Sequence, residues 1–314
     1  MIPAGEWSVF KFFGEVIMGF LEKIFPSKRI GLALGAGGAR GLAHIGVIRA
    51  LQERGFESVG VSGSSMGAII GAMFAFEPSW EAVYGRLREY FDRNREKLST
   101  FDIFRGVGDP SEEAVPRAFR AIRASIYRLR MYRRFIGDNH ILGDDILREF
   151  ICAVLPDERI ENAKVPLAVV TYDILTQREV VFTAGPVRQI VIASSSIPGI
   201  FPPQDVDGML LVDGGAISPV PVNSLKKMGV RKIFAVDVSP PSSPNTDFSN
   251  AIEVIFSVLN GTLDKIKRAE LEHASAVISP KISGIEWWRF EYFDSIIRKG
   301  YNKTIEMLAG SASK

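Results

Sequence analysis

Cysteine, histidine and net charge are all scarce in this chain, and each scarcity narrows its chemistry. One cysteine, Cys152, in 314 residues excludes an intramolecular disulfide and leaves too few thiols for a zinc cluster. That usage fits a reducing compartment, so the cytoplasm is the expected location. A formal net charge of +2 gives no global reason to expect nucleic acid as a partner. The chain start has no basic stretch leading into a short apolar core and a small-residue cleavage site, so no secretory signal is read there. No cluster of side chains has metal-ligand spacing, and neither a metal nor another cofactor is expected. Only three histidines occur, His44, His140 and His273. A conventional triad would place its histidine late, and His273 alone qualifies. It ends a charged helix-like segment, where a solvated surface histidine is the ordinary reading; His44 reads as a helix-face residue.

What is abundant is apolar sequence, 46% of the chain, enough for a large core. Short apolar runs at Ile30 to Leu34, Val59 to Ser62, Pro166 to Tyr172, Val180 to Thr183, Met209 to Val212, Lys232 to Val238 and Ala276 to Ser279 read as strands. Segments of helical period, including Leu42 to Arg54, Met66 to Phe76 and Ser79 to Glu96, lie between them. Such alternation predicts an α/β fold, a mainly parallel central sheet with helices on both faces and ligands at the carboxyl ends of the strands.

Three glycine-bearing segments sit at such ends. Gly35-Ala36-Gly37-Gly38-Ala39-Arg40-Gly41 follows the first strand. A dinucleotide fingerprint would need glycine at the sixth place, where Arg40 stands, and a carboxylate near the end of the next strand, which leads instead into Gly63-Ser64-Ser65. Backbone N–H groups aimed at a developing oxyanion explain the loop better, with Gly37 and Gly38 as the donors. Arg40 can hold the loop or attract an anionic substrate. Gly63-Ser64-Ser65-Met66-Gly67 fits G-x-S-x-G, in which Gly63 and Gly67 permit a strained strand-to-helix turn that presents Ser65. Ser64 reads as a turn residue. The apolar run Met209 to Val212 ends at Asp213, and Gly214-Gly215 turn the chain there, exposing a carboxylate that can accept a serine proton. Asp173 and Asp237 also lie at strand ends and are the alternative bases.

The ordered set of these three segments, with Ala193 to Pro203 and Pro219-Val220-Pro221-Val222, resembles the patatin-like phospholipase family, most closely its bacterial members, over roughly Ile30 to Val238. The resemblance implies a patatin-like three-layer fold, a serine-aspartate dyad of Ser65 and Asp213, an oxyanion hole in the glycine-rich loop, and hydrolysis of acyl esters in phospholipids or lysophospholipids. A soluble esterase or thioesterase, and a non-catalytic lipid-binding regulatory protein, are the competing readings.

The flanks bear on the substrate. Seven arginines and no acidic residue occur between Arg117 and Arg134, with Phe119, Ile122, Ile126 and Leu129 at helical spacing. This is a basic amphipathic helix, suited either to an anionic bilayer or to packing on the core. Residues 7–25 carry a wide apolar face suited to an interfacial helix, a packed helix or a homodimer contact. Trp287, Trp288, Phe290, Tyr292 and Phe293 form an aromatic cluster that either packs on itself or meets a membrane. The expected division is an amphipathic segment over 1–28, a catalytic domain over 29–280 and an aromatic-rich helical segment over 281–314, peripheral at the inner face of the membrane. Phe104 to Pro116 is a candidate mobile segment.

Overall fold

The computed structural model describes residues 28–94, 140–239, 248 and 251–311. Residues 7–25, 104–116 and 117–134, to which the sequence assigns an apolar helix, a mobile segment and a basic helix, lie outside them.

Eight strands form one sheet: β1 (Arg29–Leu34), β2 (Glu57–Gly63), β3 (Leu167–Asp173), β4 (Arg178–Phe182), β5 (Gln204–Val206), β6 (Met209–Asp213), β7 (Ile233–Val236) and β8 (Ala276–Ile278). Strands β3, β2, β1, β7 and β8 are mutually parallel in that order, and β4, β5 and β6 add antiparallel pairings. The expected mainly parallel α/β fold is thus present. Central β1 is buried from Ile30 to Leu34, as an apolar strand covered on both faces must be. All seven sequence-read strands occur; β5, with three residues, is too short for its period to register.

Alternation along β1 and β7 divides the core. Leu32, Leu34, Phe234 and Val236 join the larger cluster, with α1 (Ala43–Glu53), α2 (Met66–Phe76), α3 (Trp80–Arg93), α4 (Asp145–Val154), α5 (Val187–Ser194) and the C-terminal helix α8 (Phe293–Ser311). Ala33, Ile233 and Ala235 face the other way, onto α6 (Val222–Lys227) and the end of α7 (Ala251–Leu271). Helix α3 shows how local sequence sets an element. Ser79 caps it by accepting from the Ala82 N–H at 3.2 Å, and Val83, Leu87, Tyr90 and Phe91 form its buried stripe. Helix α2 is apolar on every side and buried from Met66 to Ala75, as a short internal helix should be. Among the described residues, no helix is long and apolar enough to cross a membrane.

Candidate active site

Strand β2 delivers Ser65 to the start of α2 through a turn that only small neighbours allow. A Cβ on Gly63 would stand 2.4 Å from the Gly67 carbonyl oxygen, and one on Gly67 would stand 2.1 Å from that of Leu34. The residue between them pays the conformational cost: Ser65 has φ 56° and ψ −127°, a region that side chains disfavour. Its N–H donates to the carbonyl oxygen of Ser194 at 3.1 Å, and the Ser194 hydroxyl donates to Val170 at 2.7 Å, so the strained turn is fastened to β3. Ser64 points away and donates its hydroxyl to the Ser218 carbonyl at 2.9 Å.

Strand β3 brings Ser65 and Asp213 together. Its first half pairs with β2 up to Gly63↔Val169, and its second half pairs with β6 as far as Asp213↔Thr171. Because β4 occupies the opposite edge from Val169 to Asp173, β2 and β6 share one edge and approach each other end to end. Asp213 is 5% exposed. Burial raises its carboxyl to about 6, against the hydrogen bonds of the Ser65 side chain and the Gly215 N–H, the latter at 2.7 Å.

The glycine-rich loop overhangs the pair. Its ends are tied by Ala36 N–H to the Pro219 carbonyl at 2.9 Å and by Ala39 N–H to the Trp287 carbonyl at 2.6 Å. Between those ties, the Gly37 and Gly38 N–H groups have no backbone acceptor among the described residues. Gly38 has φ 54°, and a Cβ there would meet the Trp287 carbonyl oxygen at 2.4 Å. Arg40 donates from Nε to the Gly37 carbonyl at 3.4 Å, bracing the loop from within, and burial lowers its pKa against the pull of Glu286 and Asp237.

His44 is fully buried beneath this loop, with Nε2 2.8 Å from the Gly35 carbonyl oxygen. It is therefore a core brace, where the sequence suggests an ordinary helix-face position. A carbonyl can only accept, so Nε2 carries the proton. Burial depresses the imidazole to about 4, opposed by that hydrogen bond and by Asp237. Unfolded histidine titrates near 6.5. Between those values the unfolded chain binds a proton that the fold excludes, so acidification from pH 6.5 to 4 should remove up to about 3 kcal/mol of stability. Melting curves across this window should show the loss, and His44→Gln should flatten it.

The other candidates are occupied or distant. Asp173 accepts from the Thr176 hydroxyl at 2.6 Å and from the N–H groups of Leu175 and Leu210, each at 3.1 Å, which hold its pKa low and mark it as a turn anchor. Asp237 pairs with Lys267 at 3.2 Å and accepts from the Ser239 N–H at 2.9 Å. His273 is exposed beyond α7, and His140 bridges Gly199.

An apolar cavity opens beside Ser65. Gly38, Ser65 and Ser195 line it together with Ile69, Tyr90, Phe91, Phe150, Trp287 and Phe290. The aromatic cluster of the C-terminal region therefore serves as a wall of this cavity: Phe290 packs on Phe91 at 5.3 Å, and Trp287 on Trp288 at 5.4 Å. Ser195, buried, has no hydrogen-bond partner for its hydroxyl among the described residues. Neither Trp287 nor Ser195 is legible as a site residue from its own neighbours in sequence. The glycine loop and the tryptophan that clamps it are some 250 positions apart.

Comparison with known proteins places this geometry in context. Over 213 residues the chain is 38% identical to an uncharacterised NTE family protein of Mycobacterium tuberculosis, covering 68% of this chain and 50% of the relative. It is 29% identical over 306 residues to lysophospholipase NTE1 of Mycosarcoma maydis, covering 90% of this chain and 15% of that protein. The chain thus spans half the length of the first relative and a far smaller share of the second. VipD from Legionella pneumophila superposes with a TM-score of 0.45 at 16% identity, over 90% of this chain and 67% of that one. The family model for patatin-like phospholipase covers residues 32–226, which include the glycine loop, Ser65 and Asp213, and the chain belongs to that family.

Proposed function

We propose that this chain hydrolyses carboxylic esters of phospholipids or lysophospholipids, with Ser65 as nucleophile and Asp213 as general base. The observation that carries the proposal is the buried pairing of Ser65 with Asp213, with Ser65 itself lining an otherwise apolar cavity. Asp213 takes the Ser65 proton as Oγ attacks the ester carbonyl carbon, and the charge that develops on the carbonyl oxygen is met by the Gly37 and Gly38 N–H groups. The amino end of α2 adds a favourable dipole. Protonated Asp213 then gives its proton to the departing alcohol, leaving an acyl-serine. A water deprotonated by the same carboxylate releases the fatty acid. The apolar cavity suits an acyl chain, and the Ser195 hydroxyl, without a partner among the described residues, offers a donor to an ester oxygen. Kinship with lysophospholipases supports the substrate class.

A fluorophosphonate probe should label the wild-type protein and not Ser65→Ala, and a panel of phospholipids, lysophospholipids and short-chain esters should show preference for the lipids. Absence of labelling in folded wild-type protein would refute the catalytic reading. Preference for short soluble esters would replace the lipid substrate with a small acyl ester.

The loop makes its own prediction. A Cβ on Gly37 would stand 2.6 Å from Val238 Cγ2, so Gly37→Ala forces the loop or Val238 to shift, and displacement of the loop is the expected outcome because Val238 is packed in the core. Turnover should fall about 100-fold to 1000-fold, the usual effect of losing one oxyanion donor. Val238→Ala removes the obstructing methyl, and the double variant should recover most of the loss in steady-state assays.

A further inference from the structure

Glu270 lies on α7, on the face of the sheet opposite the apolar cavity, yet it is buried at 5% exposure. Its carboxylate accepts from the Ser218 hydroxyl at 2.8 and 2.9 Å and from Asn223 Nδ2 at 3.4 Å. A carboxyl spent on one short stretch of main chain is an expensive device, since burying it forfeits its hydration. Burial indeed lifts it to about 7 against the Ser218 hydrogen bond, with Glu179 pushing in the same direction as burial.

The stretch it holds, residues 218–223, touches every part of the candidate site. The Ser218 N–H donates to the Gly214 carbonyl at 2.9 Å, tying it to the turn after Asp213. The Ser218 carbonyl accepts from Ser64, the neighbour of Ser65, at 2.9 Å. The Pro219 carbonyl accepts from Ala36 in the glycine loop at 2.9 Å, and the Pro221 carbonyl accepts from Ser62 at the end of β2 at 2.6 Å. Prolines at 219 and 221 have no N–H to give, so the segment turns the carbonyls of residues 218, 219 and 221 to the site, while the Ser218 hydroxyl and the Asn223 side chain meet Glu270.

We infer that Glu270 is a positioning residue for the reaction, acting through Ser218 and the 218–223 segment to fix the nucleophile, the base and the oxyanion loop relative to one another. The inference rests on the Ser65–Asp213 reading. It predicts a separation of kinetic constants, because the acyl cavity lies across the sheet from Glu270 and is untouched by it. Glu270→Leu removes the acceptor and should lower kcat by about 100-fold, the scale expected of a misplacement near 1 Å, with KM unchanged. Ser218→Ala removes only the hydroxyl link and should lower kcat by about 10-fold. Glu270→Gln retains an oxygen that can accept from Ser218 and should stay within about 3-fold of wild type.

The test is steady-state kinetics on a lysophospholipid together with the rate of fluorophosphonate labelling of Ser65, each on protein whose melting temperature lies well above the assay temperature. A fall in kcat and labelling rate at constant KM, rescued by glutamine, supports the inference. Should Glu270→Leu fail to fold, Ser218→Ala decides, since it leaves the carboxylate and its Asn223 Nδ2 contact in place. Wild-type labelling rates in Ser218→Ala and in folded Glu270→Leu, or a rise in KM that accounts for the loss, would overturn it while leaving the dyad intact. An unlabelled wild type would overturn the dyad and the inference together.

Discussion

Asp213→Asn should lower kcat by about 100-fold to 10,000-fold, the usual worth of a positioned general base, and should at the same time make the protein more stable at neutral pH. The two effects share one cause. The carboxyl titrates near 3.8 when exposed and near 6 in the fold, because burial disfavours its charge. Between those values the folded protein holds a proton that the unfolded chain has released. Stability therefore declines as pH rises from 3.8 to 6, and at pH 7 the ionised Asp213 costs up to about 3 kcal/mol. Asparagine has the same shape, can still accept from the Gly215 N–H, and carries no charge to desolvate. Thermal melts at pH 7.5 should place Asp213→Asn above wild type, by about 2–4 °C for each kcal/mol gained. On the proposed mechanism the wild-type pH profile carries the complementary signature: kcat/KM should climb through an apparent pKa near 6, since that mechanism needs Asp213 ionised to take the Ser65 proton. His273→Ala should leave turnover intact. An Asp213→Asn protein with near wild-type turnover, or a silent His273→Ala protein, would return the base to a histidine.

Ser65→Ala should lower turnover by at least about 10⁴-fold and abolish probe labelling, since the proposed mechanism forms the acyl intermediate on its hydroxyl. A comparison with Ser65→Gly extracts more. Alanine must still adopt φ 56° and ψ −127°, whereas glycine occupies that region without steric penalty. Ser65→Gly should be as inactive as Ser65→Ala and yet more stable, by on the order of 1 kcal/mol in denaturant titrations. Equal stability of the two would show that the turn stores no strain at this residue.

The parts of the site legible in sequence are those whose turn chemistry is local. Flanking glycines and a following apolar helix identify the Ser65 elbow, and an apolar run broken by Gly214-Gly215 identifies Asp213 as the residue at a strand end. The fold class follows from strand-helix alternation for the same reason. What local sequence does not carry is which distant groups meet. Trp287 closes the glycine loop through its main-chain carbonyl, a contact that any residue type could make and that leaves no compositional trace. His44 looks like a helix-face residue because nothing nearby reveals that the Gly35 carbonyl will meet its ring and bury it. Glu270 sits in a charged helix end, where a solvated carboxylate is the ordinary expectation, until the fold brings Ser218 against it. Helix α3 ends at Arg93, short of the Glu96 that periodicity suggests, an uncertainty inherent in helix ends.

The shared edge of β3 has a further consequence, for how the site tolerates change. Pairing register moves in whole residues, and a slip of one turns every side chain to the opposite face. Asp213 therefore cannot drift gradually away from Ser65: while β6 keeps its pairing of Asp213 with Thr171, the carboxylate is in place, and one step away it points elsewhere. The chain between the two residues leaves this edge twice, between β2 and β3 and between β3 and β6, and the second excursion holds both, its Ser194 accepting from the Ser65 N–H and its Ser196 from the Asp213 N–H. Parts of those excursions away from Ser194, Ser196 and the cavity walls can lengthen, shorten or acquire new surfaces, while the Ser65–Asp213 spacing stays locked to a ladder that admits only all-or-none error.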